Sequence, residues 1–147
     1  MKCCTRWLNG PAGDCLRNSG LLVLRLWLGL SMLVLHGFGK WQKSSELAGT
    51  FPDPFGAGSA TSLYLAIFAE VVCSVLIVVG AATRLALVPL VITMAVAFFA
   101  VHGGALSGEH SGELAFIYMG GYLALLLCGP GRYSVDHLIQ RRCCGGE

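Results

Sequence analysis

Charge is what this sequence has least of. Asp, Glu, Lys and Arg make up 12% of its 147 residues, about half the share found in a soluble domain. The hydrophobic set makes up 55%, and the mean hydropathy is +0.70. So thin a polar coat excludes a water-soluble globular domain, and the same apolar content excludes intrinsic disorder. Ten basic residues against eight acidic ones leave a formal charge of +2, and the basic residues are scattered. That excludes the clustered electrostatic footprint of a nucleic-acid-binding protein. The alternating runs of about 10 residues, about eight or more of them, that a transmembrane barrel would need are missing. No repeat of fixed period and no low-complexity segment is visible. The seven cysteines imply no disulfide framework: Cys3, Cys4, Cys15, Cys143 and Cys144 sit in the terminal segments, and Cys73 and Cys128 lie inside apolar runs. What is left is an integral membrane protein whose solvent is lipid.

A spanning helix needs roughly 20 mainly apolar residues to cross about 30 Å of hydrocarbon at about 1.5 Å per residue. Four stretches qualify: Leu21 to Phe38, Ser62 to Ala82, Leu85 to Val101 and the shorter Leu114 to Cys128, which Gly129-Pro130-Gly131 stops. Only helices satisfy every backbone group within a lone segment in lipid, so the expected fold is an all-α, up-down-up-down four-helix bundle. Pro89 is placed in the first turn of the third helix, where its missing N–H does no harm. Helices two and three are joined so tightly, through Thr83-Arg84, that they must form an antiparallel hairpin. The first connection, Lys40 to Thr61, is long enough for a small folded lid.

Lys and Arg near the helix ends set the orientation. Lys2, Arg6, Arg17, Arg84, Arg132, Arg141 and Arg142 fall on one side and only Lys40 and Lys43 on the other, so both termini are expected to face the cytoplasm. The first apolar stretch is read as an uncleaved anchor, because it carries an internal Arg25 and no small-residue cleavage motif. The division is a tail over 1–18, a membrane domain over 19–133, and an interfacial helix with a tail over 134–147. In that helix Ser134 is the expected cap, Val135, Leu138 and Ile139 share an apolar face, and Asp136, His137, Arg141 and Arg142 share a polar one. The tail thiols are expected to stay reduced and without a role; the pairs Cys3-Cys4 and Cys143-Cys144 leave acylation or a soft metal open.

Ionisable groups inside a bilayer are costly and face partners. Arg25, Gly29, Met32, His36 and Lys40 are spaced at steps of four, three, four and four, and so form one stripe on the first helix. Lys40 has two readings, snorkelling to the surface or facing a pocket. Glu70, near the middle of the second helix among the small residues Ala66, Cys73 and Ser74, also has two: a structural ion pair with Arg25, or a proton-handling carboxylate facing His36. His102 closes the third helix before Gly103-Gly104. Glu113 shares a face with Gly120 and Ala124 and is therefore placed at a helix interface. In the outer half, His36, Lys40, His102, Glu113 and Tyr118, with Glu109 and His110 nearby, are expected to gather in a polar pocket suited to proton-coupled redox chemistry or metal binding. Any small-molecule site is expected to open there, since the cytoplasmic ends offer mainly Arg84 and Arg132 with no acid–base partner. Haem or metal ligation finds no specific ligand spacing.

The order of motifs resembles the DoxX family of small bacterial membrane proteins. It rests on Arg25-Leu26 with Gly29, His36-Gly37-Phe38-Gly39-Lys40, Ala69-Glu70-Val71, Gly80 to Arg84 and His102. Gly112-Glu113-Leu114-Ala115 and the closing Gly129-Pro130-Gly131-Arg132-Tyr133-Ser134-Val135-Asp136 complete it. The resemblance covers about residues 20 to 136 and leaves out the cysteine-bearing tails. It implies four membrane helices and redox or oxidative-stress physiology, with a quinone as the implied cofactor and soluble redox proteins as implied partners. On that reading His36 and Glu70 handle protons while Arg25, Lys40, His102, Glu113 and Tyr118 bind the ligand. A non-enzymatic anchor that recruits soluble redox enzymes is the alternative. A small transporter ranks third, because inverted repeats and broken helices are missing, and association of several copies stays open.

Overall fold

The computed structural model describes residues 10–144, and among these it is helical with no strand. Helix α1 runs without a break through Pro11–Met32, Leu33–Gly37 and Phe38–Gln42. A short α2 spans Ser44–Leu47. Helix α3 comprises Ser59–Ile67, Phe68–Cys73 and Ser74–Val79; α4 comprises Thr83–Ala95 and Val96–Val101; α5 spans Glu113–Cys128 and α6 Val135–Cys144. Three of these, α1, α3 and α4, are long and apolar enough to cross a membrane. The 16 residues of α5 are apolar but short. The result is the expected four-helix membrane bundle, with α1 and α3 to α5 as its members.

Glycines bring the helices together. A Cβ on Gly29 would fall 2.6 Å from Val78 Cγ2 and 3.2 Å from the Ser74 carbonyl oxygen, and one on Gly37 only 2.7 Å from the Glu70 carbonyl oxygen. Backbone therefore meets backbone at two levels of the α1–α3 contact. On α5, Gly121 receives the Leu28 side chain, 2.7 Å from where its Cβ would stand. Leu28, Met32, Cys73, Ile77, Leu87, Leu90, Tyr122 and Leu125 fill the shared core.

Several boundaries differ from the sequence expectation. Helix α1 begins at Pro11 rather than Leu21 and continues past Phe38 to Gln42; Pro11 stands at the first helical position, where its missing N–H would have no intrahelical partner. Pro89 lies inside α4, in its second turn, since the helix begins at Thr83. Helix α3 ends at Val79, and Gly80 supplies the left-handed residue (φ 73°) at which the chain turns, with the Gly80 and Ala81 amides both donating to the Leu76 carbonyl at 2.9 Å. The long first connection does fold. Asp53 accepts from the amides of Ala57 (3.0 Å) and Gly58 (2.7 Å) and from Ser62 Oγ (2.9 Å). These bonds, Gly58 foremost, hold its carboxyl below the usual carboxylate range.

At the other end Ser134 caps α6 as expected, its Oγ accepting from the His137 amide at 3.2 Å. Asp136, assigned to the outward polar face, instead turns toward the bundle and accepts from the amides of Ala82 (2.6 Å) and Thr83 (2.9 Å). It caps α4, whose own preceding residue Ala82 has no side chain to do so. Leu138 and Ile139 are exposed. Lys2, Arg6, Cys3 and Cys4, with the expectations that fall on them, lie outside the described residues, as does the side chain of Cys144.

Candidate functional site

One stripe of α1 supplies the first wall of a cavity of about 280 Å³: Met32, His36 and Lys40. Glu70 enters from α3, Met94, Ala97 and His102 from α4, and Ser111, Gly112, Leu114, Ala115 and Tyr118 from the start of α5 and the turn before it. The cavity lies at the end of the bundle where α1 finishes and α3 begins, opposite the end that holds Arg84 and Arg132.

Its centre is an ion pair. Lys40 Nζ stands 2.5 Å from Glu70 Oε1 and 2.6 Å from Oε2. The carboxylate side chain is only 3% exposed and the ammonium side chain 28%, so the lysine reaches inward rather than snorkelling. A carboxylate this deep needs such a partner, since removing it from water alone costs on the order of several kcal/mol. Around the pair stand three groups able to exchange or share protons. His36 packs edge-on to Tyr118, with ring centroids 5.8 Å apart at 88°. His102 Nδ1 lies 2.7 Å from the Ala97 carbonyl oxygen. With Nδ1 as the donor, Nε2 of His102 is left as an acceptor.

Each of the three long helices widens into a π turn at this level. Leu33–Gly37 carries His36, Phe68–Cys73 carries Glu70, and Val96–Val101 includes Ala97 and delivers His102 at its end. A π turn inserts one residue into the helical ladder and re-aims the side chains around it, and such turns collect at functional sites. Here two of them hold His36 and Glu70, which line the same cavity.

Five of the expected site residues, His36, Lys40, Glu70, His102 and Tyr118, thus converge. Two do not. Glu113 is exposed and lines no part of the cavity, and so are Gly120 and Ala124 on its face; the buried face of α5 is Ala115, Tyr118, Tyr122 and Leu125. Glu109 and His110 are exposed as well. Arg25 is fully buried at the opposite end and does not pair with Glu70. Because α1 runs antiparallel to α3 with Gly37 against Glu70 and Gly29 against Ser74, Arg25 arrives level with Gly80. There its Nη2 donates to the Tyr133 carbonyl, its guanidinium fills the space where a Gly80 Cβ would be, and Asp136 stands nearby. Burial alone would raise the Asp136 carboxyl, but the Thr83 and Ala82 amides and the Arg25 charge outweigh it and hold the group below its ordinary range. The arginine-rich end therefore does contain acid–base partners, and a second cavity, contrary to the sequence expectation.

Sequence reasoning missed Met94, Ser111 and the role of Asp136. Met94 sits in an uninterrupted apolar run that gives no phase, and a capping aspartate 53 residues from its target leaves no local signal. Among the described residues no group of three or more His, Cys, Asp or Glu is placed to hold a metal ion, and Cys15, Cys73, Cys128 and Cys143 are free.

Residues 20–103, more than half of the chain, match the family model described as DoxX. The protein belongs to the DoxX family. It is 29% identical over 127 residues to an uncharacterized protein of Haemophilus influenzae, covering 82% of this chain and 83% of the relative. It is 31% identical over 142 residues to an uncharacterized membrane protein of Mycobacterium tuberculosis, covering 86% of each. No solved structure matches it. The matched segment holds His36, Lys40, Glu70 and His102, so most of the cavity's polar groups belong to the family domain of this chain.

Proposed function

We propose that this DoxX protein is a quinone-interacting accessory subunit of membrane redox or oxidative-stress physiology in the bacterial inner membrane, with both termini in the cytoplasm. The observation that carries the reading is the Lys40–Glu70 ion pair beside two imidazoles and a phenol in a membrane-embedded cavity. A volume of about 280 Å³ accepts a ring of headgroup size and leaves an isoprenoid tail to the lipid. Reduction of a quinone to a quinol takes two electrons and two protons. The electrons come from a partner oxidoreductase; His36 and the Lys40–Glu70 pair pass the protons to the two carbonyl oxygens and are recharged from water at the outer surface. Arg25 and Glu113 drop out of the ligand set, Arg25 for its place at the other end and Glu113 for its exposure.

A second reading, a non-enzymatic anchor for soluble redox enzymes, draws support from α6, where exposed Leu138 and Ile139 stand beside Arg141 and Arg142. Site-resolved alkylation of His102→Cys in purified protein separates the two. Occupancy by a short-chain quinone should slow labelling of that thiol about tenfold or more while Cys143 labels unchanged, as expected for a Kd well below the quinone concentration applied. Equal labelling with and without quinone overturns the quinone reading and leaves the anchor.

A further inference from the structure

The second cavity, about 430 Å³, lies between the start of α1, the Gly129–Arg132 turn and α6. Its walls are of two kinds. Leu21 and Cys128, from the ends of the apolar spans, supply apolar lining, and Arg17, Arg132, His137 and Gln140 supply polar lining. Asp136 is the one acidic residue among the lining groups, and both its oxygens are taken by the Ala82 and Thr83 amides. Arg17 meets Asp14 at 3.0 Å, but both side chains are well exposed, at 71% and 47%, and such a surface contact holds an arginine weakly. Arg132 is fixed by its backbone: its amide donates to Asn18 Oδ1 at 2.8 Å, while Asn18 in turn donates to the Asp14 carbonyl. Its guanidinium makes no hydrogen bond or ion pair among the described residues. The lining therefore presents cationic and amide donors around one carboxylate, Asp136, whose two oxygens already accept backbone bonds.

From this arrangement we infer that the arginine-end cavity binds a phosphate group, that of an anionic phospholipid headgroup or of a soluble phosphate ester. The planar forks of Arg17 and Arg132 match phosphate oxygens in pairs, Gln140 and His137 add single donors, and Leu21, Cys128 and Pro130 offer an apolar seat to the carbon chain esterified to the phosphate. Basic pockets between membrane helices at the charged end of a bundle are built this way to hold lipid headgroups. The site does not depend on the quinone cavity and stands or falls separately from it.

The test uses the full chain in nanodiscs of phosphatidylcholine, with and without phosphatidylglycerol, read by native mass spectrometry for retained lipid and by melting temperature. Arg17→Gln with Arg132→Gln removes the two forks without touching Asn18 or the backbone bonds. Arg141→Gln with Arg142→Gln removes equal charge from the same end but outside the cavity. Phosphatidylglycerol should be retained over phosphatidylcholine, and the first double variant should lower that retention about tenfold or more while the second leaves it nearly unchanged. Displacement of the lipid by millimolar inorganic phosphate, or a phosphate-dependent rise in melting temperature that the first variant alone abolishes, assigns the site to a soluble phosphate ester instead. Equal loss of retention in both double variants, or equal retention of the two lipids with no effect of phosphate, overturns the proposal.

Discussion

The two ends of this bundle each bury a basic side chain of α1 near an acidic one, and they use it in different ways. At one end Lys40 and Glu70 touch directly and look onto a cavity. At the other, Arg25 is clamped between the Tyr133 carbonyl and Gly80, and its nearest carboxylate, Asp136, has both oxygens committed to α4. An ion pair with room beside it can change protonation or partner when a ligand arrives. A guanidinium enclosed by backbone cannot move without undoing the turn that encloses it. Burial near an opposite charge is thus common to both ends, but Lys40 and Glu70 themselves line a cavity, whereas Arg25 lines neither of the two.

The largest expected effect is on the clamp. Arg25→Ala should destabilise the protein by about 2 to 5 kcal/mol, the range for truncating a large buried side chain, measured as loss of monodisperse protein and a lowered Tm in detergent. Wild-type melting of this variant would show that the arginine end is not held by Arg25. Glu70→Gln should cost less, about 2 kcal/mol, because it leaves a partly exposed ammonium unpaired. Adding Lys40→Met should recover part of that loss, with a coupling of about 1 kcal/mol in the double-mutant cycle; simple additivity would mean that the contact is not energetically coupled.

Asp136→Asn comes next, at about 1 kcal/mol, as for loss of a helix cap. The folded carboxyl lies below its ordinary value, so its contribution is present above the unfolded pKa of about 3.9 and is lost as pH falls through the lower folded value. Wild type should therefore lose stability in acid below about pH 4, where Asp136→Asn has a flatter profile. Parallel acid profiles of the two proteins would remove Asp136 from the clamp. The smallest effects belong to His36→Ala and Glu113→Gln. His36→Ala should keep the stability within about 1 kcal/mol of wild type and lose ligand binding, and Glu113→Gln should change stability by less than about 0.5 kcal/mol.

The four membrane helices were legible because run length against bilayer thickness is a strong constraint, and the α1 stripe was legible because 3.6-residue spacing fixes which side chains share a face. A stripe says nothing about depth relative to a neighbouring helix. Arg25 and Lys40 are about 22 Å apart at about 1.5 Å per residue, and it takes the register of the two helices, with Gly37 against Glu70, to bring Lys40 and not Arg25 to the carboxylate. Glu113 was misplaced because α5 is apolar on all sides, so two small residues on one face supplied a false phase. The π turns leave no pattern in residue type, yet two of them hold His36 and Glu70.

The contrast between site and clamp is tested most directly by quinone titration of purified protein in nanodiscs, comparing wild type with Glu70→Gln at one end and Asp136→Asn at the other. If the Lys40–Glu70 end is the site, Glu70→Gln weakens binding of a short-chain quinone about tenfold or more, in line with loss of about 1.4 kcal/mol per decade. Asp136→Asn then lowers the Tm and leaves the Kd unchanged. Wild-type affinity in Glu70→Gln, or an equal loss of affinity in both variants, would contradict it.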